Sequence, residues 1–442
     1  MNAPLIVHQD LPPWLILPFM FWMGACIGSF LNVCVFRIPQ HLGFWDQLKS
    51  IANRGSFCPR CMTPIRWYDN VPIFGWLSLR GRCRDCGQKI SMRYPLIELF
   101  NALLFVLVYW LEVPFGFGQA LSTSTVFADL GPQTIPGLGS LSPLVFLHLR
   151  VAFHLVLIEA LLVATLIDWD LMIIPDACTI PQTIFAVVAS TIFGRLHLVP
   201  AWHQDPRLLR DFRIAMPKSL HPWLTPEWDV PAWFKTSPHL HGFLVSVAGL
   251  VVGALLVIVV RSIGTRILRQ EAMGDGDIFL MAMVGAFIGW QATVLAFFLA
   301  AFLATIQMSA AWLISMPFRF EKEIAYGPYL SLGTVLILLG WRDVWEYFAR
   351  RFFSLGPILI PLGIVMLIFL PVALYAMQGF KWLIGIPLHP PAPIGVWTAA
   401  DQSFFLAGEN VDRNQGHWKT ENDWPGNASA RGTSFEEQWK NP

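Results

Sequence analysis

Apolar runs close to twenty residues long recur along most of this chain, and they restrict its folding more than any other feature. A helix needs about 20 apolar residues to cross a ~30 Å hydrocarbon layer, and it is the only open-ended structure that satisfies its own backbone polar groups there. The chain is 55% hydrophobic and 13% charged, where a soluble chain carries about 25% charge. A single soluble globule is excluded, and an all-α polytopic membrane protein is predicted. Spans are expected near 14–36, 95–115, 145–167, 178–194, 242–261, 278–290, 292–316, 325–341 and 356–378, nine in all. The sixth rises only about 20 Å and needs its flanks or neighbours to complete a crossing. No Lys or Arg precedes Arg37, so the first run lacks the basic start of a secretory signal and is expected to remain as a span.

Lys and Arg are retained in the cytoplasm during insertion, so their distribution orients the spans. Residues 37–93 carry ten Lys or Arg against Asp46, Asp69 and Asp85, and are expected on the cytoplasmic side. Residues 1–36 and 116–149 carry none, which puts the N-terminus and second loop on the far side. Odd-numbered spans then run inward and even-numbered ones outward. The 196–240 loop belongs outside despite five basic residues, which four acids nearly cancel. Its Trp202, Trp223, Trp228 and Trp233, interleaved with prolines, predict a cover lying against the headgroup layer. The expected organisation is an N-terminus and first span (1–36), a cytoplasmic loop (37–93), a membrane core (94–341), an additional span (342–384) and a polar tail (385–442) whose composition predicts disorder. The overall charge of +1 supplies no field for nucleic acid.

Four of the seven cysteines form two C-x-x-C pairs, Cys58/Cys61 and Cys83/Cys86, separated by 21 residues. That spacing is close to the pattern of structural zinc sites, in which two knuckles close a tetrahedron of thiolates. A disulfide pair or a redox motif suits a reducing cytoplasmic loop poorly, and a redox motif would not need a matched second copy. Cys26, Cys34 and Cys178 lie in or beside spans and read as small buried apolar residues.

Charged residues inside spans are costly, so their positions carry information. Asp168-Trp169-Asp170 ends the third span, with Ile174-Pro175-Asp176 after it, and Gly274-Asp275-Gly276-Asp277 opens the sixth. By the alternation above, Asp168 and Asp277 fall at the cytoplasmic end of the bundle although 109 positions separate them. Two carboxylates converging in a low-dielectric site share one proton, which supplies the acid and base that activate water against a peptide carbonyl. Gly274 and Gly276 remove side-chain bulk and permit φ > 0, so an extended substrate backbone is expected to approach Asp277 there. Asp176 and Asp275 read as helix caps. Asp168 sits at a helix C-terminus, where the macrodipole disfavours an anion, so capping does not explain it. Glu98, one turn into the second span, lies at the depth of a supporting residue, with Asp176 as a second candidate. His154 and Glu159 read as partnered structural groups.

These residues resemble the type IV prepilin peptidases, the GxGD aspartic proteases of the prepilin leader peptidase/N-methyltransferase family. Gly28-Ser29-Phe30-Leu31-Asn32-Val33 with Arg37-Ile38-Pro39 looks like the family's first-span signature. The cysteine knuckles, with Arg66 to Pro72 between them and Arg93 to Leu99 after, resemble its cytoplasmic zinc insertion. Asp168 with Pro175-Asp176 and Thr179-Ile180-Pro181 is similar to its first catalytic segment, and Met273 to Asp277 with Gly285 to Trp290 is similar to the second. Tyr326-Gly327-Pro328-Tyr329 resembles the turn that opens its last span. The likeness covers roughly residues 20–340. It implies an inner-membrane enzyme whose cytoplasm-facing Asp168 and Asp277 remove leaders from prepilin or pseudopilin substrates. It also implies N-methylation of the new terminus with S-adenosylmethionine. Phe279 stands where the family usually has Lys, the 196–240 loop is long, and the ninth span and tail are additional. No glycine-rich loop marks a cofactor site, and Gly24-x-x-x-Gly28 reads as helix packing.

Two rivals make different demands. A transporter using membrane aspartates for proton or cation coupling wants its carboxylates near midplane, whereas these lie at one surface. A zinc module binding nucleic acid has only the ten basic residues of the loop in its favour, and retention in the cytoplasm accounts for those.

Overall fold

The computed structural model describes residues 13–383 apart from 42, 53–54, 59–60, 114–132, 136–138, 142, 201–205, 225–236, 270–271 and 316–324. The polar tail and Trp202, Trp228 and Trp233 of the 196–240 loop lie outside the described residues.

All nine apolar runs are helical. In chain order the helices are α1 (Pro13–Arg37), α2 (Phe44–Ala52), α3 (Phe74–Ser78), α4 (Arg93–Glu112), α5 (Pro143–Leu171), α6 (Ile180–Phe193), α7 (Pro206–Ala215), α8 (Pro238–Leu268), α9 (Asp275–Ile288), α10 (Trp290–Ser315), α11 (Gly327–Leu339) and α12 (Leu359–Leu383). Seven stretches, those of α1, α4, α5, α6, α8, α10 and α12, are long and apolar enough to cross a membrane by length and composition. The runs expected as the sixth and eighth spans fold as the shorter α9 and α11, of 14 and 13 residues. The reason is local: α9 stops at Gly289, which turns at φ 81°, and α10 starts at the next residue. Leu280, Met281, Met283, Val284, Ala286, Phe287 and Ile288 are all fully buried, so neighbouring helices surround α9. Phe279, where the resembled family has Lys, faces outward and is half exposed. The one sheet among the described residues is a hairpin pairing Gln133–Ile135 with Gly139–Leu141.

Glycines set the closest helix contacts. A Cβ on Gly249 of α8 would strike the Gly285 carbonyl of α9, and one on Gly253 would strike Met281. In α1, a Cβ on Gly24 or Gly28 would stand 2.9 Å from the backbone of Ala102 or Glu98 in α4. Both are the close backbone approach that small-xxx-small patterns allow in a membrane. α11 packs against α5 and α10, while α12 lies along α8 at the edge of the bundle.

The contacts sort the helix ends into two sets, as alternating spans require. At one end, Gly327 at the start of α11 meets Asp168 near the end of α5, and Gln378 late in α12 bonds the Ile267 carbonyl at the end of α8. At the other, His197 bridges the carbonyls of Phe287 and Gly242, and Gln291 bonds that of Pro200. The beginning of the 196–240 loop packs into this end of the bundle: Leu196, His197, Leu198 and Val199 are at most 1% exposed. Farther along, α7 carries an amphipathic pattern, with Leu209 buried and Ile214 exposed.

Candidate active site and metal centre

Three helix ends converge around Asp168. α5 runs to Leu171 and stops because Met172 takes a left-handed conformation at φ 57°, its N–H bonded to the Asp168 carbonyl. Asp168 is 6% exposed, and its Oδ2 accepts the N–H of Gly327 at 3.0 Å. The carboxylate that sits unfavourably at the C-terminus of its own helix thus rests on the N-terminal end of α11, whose dipole favours an anion. A Cβ on Gly327 would stand 2.5 Å from that oxygen.

Asp277 is also 6% exposed. It is the third residue of α9, and its Oδ2 accepts the Gly274 N–H at 3.2 Å, the return arm of a capping box. Capping therefore accounts for one oxygen of Asp277. Ile174 packs between Asp168 and Asp277: its Cδ1 lies against Gly327, whose N–H bonds Asp168, and its Cβ lies against Gly276, the residue before Asp277. The structure brings Asp168, Asp277 and the start of α11 to one end of the bundle.

The flanking glycines need correction. Gly274 has φ −73°, and Gly276 is absent from the residues with positive φ, so neither is required for a left-handed turn. A Cβ on Gly276 would meet Ile174 Cβ at 2.8 Å, so the protein's own packing excludes a side chain there. At Gly274 the nearest atom to an added Cβ is Asp277 Oδ2 at 3.8 Å, which leaves that side of the turn open. Asp275 is an exposed partner of Arg261. Asp176 is exposed and supplies no cap: it opens a short 3-10 turn, and the cap position of α6 belongs to Thr179.

Asp170 has a partner that sequence reasoning missed. Its carboxylate, 2% exposed, pairs with Arg93 at 2.6 Å and so ties the first residue of α4 to the end of α5. Gln47 of α2 adds a second tie, accepting the Ala177 N–H at 3.3 Å. Glu98 is buried and accepts the Ile73 N–H at 2.6 Å, so it faces the cysteine-bearing insertion rather than the aspartates. His154 is paired with Glu112 at 2.6 Å inside the bundle.

The four cysteines gather into one cluster, all Sγ atoms within 4.8 Å of one another. Cys58 and Cys86 are 3.9 Å apart, and Cys61 and Cys83 are 4.0 Å apart. A tetrahedron with metal–sulfur bonds of ~2.3 Å has edges of about 3.8 Å, so the donor set fits one metal ion. The knuckles are built alike. The N–H of Cys58 bonds the Thr63 carbonyl and that of Cys83 the Gln88 carbonyl, and the residue after each second cysteine, Met62 or Gly87, is left-handed. A hydrogen bond from Thr63 is the main cause that lowers the Cys61 thiol to about 6, which favours the thiolate a metal needs. Asp69 is held below the usual carboxylate range by its hydrogen bonds from Arg84, at 2.6 and 2.7 Å, which brace the two knuckles. Between α1, the start of α4 and this insertion lies a cavity of ≈ 200 Å³, lined among others by Asn32, Trp76, Tyr94 and Glu98.

Two stretches of the chain match known protein families. Residues 22–111 match the Bacterial Peptidase A24 N-terminal domain, and residues 232–309 match the Type IV leader peptidase family. The first stretch holds the cysteines and Glu98, the second holds Asp277, and Asp168 lies outside both. A prepilin leader peptidase/N-methyltransferase of Myxococcus xanthus is 30% identical over 290 residues, 65% of this chain and 61% of that protein. One of Aeromonas salmonicida is 27% identical over 349 residues, 75% of this chain and 92% of its own. A type 4 prepilin-like proteins leader peptide-processing enzyme of Escherichia coli is 30% identical over 280 residues, 60% of this chain and 74% of its own. No solved structure matches the chain. With relatives of this identity aligned along most of their length, and with both matched stretches falling on the two halves of the bundle, the chain belongs to the type IV leader peptidase family.

Proposed function

We infer that this multi-pass membrane protein is a prepilin leader peptidase, cutting prepilin-like proteins with Asp168 and Asp277 as its catalytic pair. The observation that carries the assignment is the convergence of two buried carboxylates, each resting on a helix N-terminus, at one end of the bundle. Sharing one proton, the pair supplies both catalysts. The ionised carboxylate takes a proton from water as the water oxygen bonds to the scissile carbonyl carbon, and the protonated one gives its proton to the carbonyl oxygen. When the tetrahedral diol collapses, the C–N bond breaks, the leaving amine takes a proton from one carboxyl group, and the other carboxylate recovers a proton from the diol. One proton remains shared for the next turnover. The open side of Gly274 is where the substrate backbone approaches.

The basic 37–93 loop supports an orientation with this end in the cytoplasm, on the bacterial inner membrane. A prepilin's polar leader and apolar stretch would then part at the depth of the aspartates. Transport by these carboxylates is disfavoured by their place at the end of the helices rather than near midplane. The cysteine cluster is assigned to one structural zinc ion held by Cys58, Cys61, Cys83 and Cys86, which folds the insertion and leaves no open position for chemistry.

The relatives are named N-methyltransferases as well as leader peptidases. The cavity beside α4 suits a methyl donor such as S-adenosylmethionine: Trp76 and Tyr94 offer aromatic faces, and Glu98 offers a carboxylate toward a sulfonium. The donor would supply a methyl group to the amine released by cleavage, and Arg93–Asp170 joins the rim of this cavity to the catalytic helix end. The test is the mass of a co-expressed prepilin's N-terminus, which reports leader loss and methyl gain together. An unprocessed leader refutes the peptidase reading, and a cleaved but unmethylated terminus refutes the methylation alone.

A further inference from the structure

The insertion that carries the cysteines reaches into the bundle before it returns to the second knuckle. Ile73 donates its N–H to Glu98, five residues into α4 and so about 7.5 Å of helix rise inside Arg93. Ile73 itself, at φ 63° and ψ −54°, is the centre of a γ-turn closed by the Phe74 N–H on the Pro72 carbonyl, a conformation costly for a β-branched residue. The short helix α3 follows immediately. Its backbone packs so tightly on the preceding turn that a Cβ on Gly75 would strike the Asp69 carbonyl.

The faces of α3 differ. Trp76 turns toward the second knuckle, its Nε1 donating to the Ile90 carbonyl at 3.1 Å and its ring lying under Gly81. Phe74 and Leu77 turn outward, 58% and 55% exposed. The Phe74 ring lies 6.3 Å from that of Trp22, which belongs to α1 and is fifteen residues before Arg37. That separation corresponds to about 22 Å of helix rise. On the same helices, Phe30, Leu96, Phe100 and Leu103 are also at least half exposed, as apolar residues facing acyl chains are. Phe74 and Leu77 therefore continue the lipid-facing surface of α1 rather than facing water.

We propose that α3 is a membrane-embedded wedge, with Phe74 and Leu77 in contact with the acyl chains of the leaflet next to the insertion, so that the cysteine cluster is anchored to the bilayer as well as to the chain ends. The irregular backbone this requires at membrane depth is tolerated because Glu98 and the 66–73 turn satisfy its polar groups within the protein. The occupant is lipid because the patch is continuous with the spans' own lipid face.

The test places a photoreactive benzoylphenylalanine at position 74, 77 or 88 of the full-length protein in vesicles of phosphatidylethanolamine and phosphatidylglycerol. Irradiation is followed by mass analysis of the tryptic peptides. Phospholipid adducts at 74 and 77, and none at the exposed Gln88, are expected. Adducts to a second copy of the chain, absence of lipid adducts at 74 and 77, or equal lipid labelling at 88 would each overturn the proposal. If replacing Phe74 prevents accumulation, position 77 decides alone, because the ring contact with Trp22 belongs to Phe74.

Discussion

Replacing Gly327 by alanine tests how the catalytic geometry is held. The new Cβ would stand 2.5 Å from Asp168 Oδ2 and 3.1 Å from Ile174 Cδ1. Ordinary contact begins near 3.4 Å, so the carboxylate must retreat by roughly 1 Å, and its 3.0 Å bond from the Gly327 N–H is strained or lost. A hydrogen bond to a charged group contributes about 1.5–3 kcal/mol, and a 1 Å misplacement of a catalytic group costs about 10²-fold in rate. Alanine favours a helix over glycine by about 1 kcal/mol, so the variant should accumulate normally. Leader cleavage of a purified prepilin in proteoliposomes, followed by mass spectrometry over time, should give kcat lower by about 10²-fold with KM little changed. Gly274→Ala is the matched control: its Cβ comes no nearer than 3.8 Å to Asp277 Oδ2, so any loss there reports substrate approach rather than displacement of a carboxylate. If Gly327→Ala cleaves at wild-type rate, the bond from α11 does not position Asp168 and the reasoning fails.

Further outcomes are expected. Asp170→Asn breaks a pair with a nearly fully buried carboxylate and should destabilise the membrane-inserted protein by about 3 kcal/mol, measured as a lower unfolding temperature in detergent. Asp275→Asn and Asp176→Asn alter exposed residues and should process prepilin at close to wild-type rate. Cys83→Ser should abolish metal content measured by elemental analysis, whereas an intact metal level would remove the four-thiolate site. The lowered Cys61 thiol stays ionised as pH falls from 9 to about 6. Its contribution to metal affinity is therefore present above about pH 6 and is lost as protons compete below it. Metal release in a chelator titration should steepen there, and release that is flat between pH 7 and 5 contradicts the assignment.

The main features were legible because they are written in residue types. Nine apolar runs became nine helices, and paired cysteines at a fixed spacing became one cluster. The tight contact of α8 on α9 also had a signal, since Gly249, one of a glycine pair four apart, faces a second such pair, Gly285 and Gly289. Other features had no such signal. Gly327 holds Asp168 through a backbone N–H, which nearly every residue has, and only the fold brings it there. Arg93 and Asp170 are 77 positions apart and each looks like an ordinary interfacial charge until α4 and α5 meet. α9 and α11, of 14 and 13 residues, are shorter than a lone span, and their burial among neighbours is not written in their own hydropathy. The packing demand on Gly276 was hidden for a similar reason, because the atom that excludes a side chain there, Ile174 Cβ, belongs to a distant turn.

The most direct test of the central claim is the intact N-terminal mass of a prepilin co-expressed with Asp168→Asn, Asp277→Asn or wild-type enzyme at matched membrane levels. The catalytic pair predicts full leader removal by the wild type and none by either variant, since each change destroys the shared proton while leaving a side chain of the same size. Leader removal by either variant at near wild-type rate would contradict it.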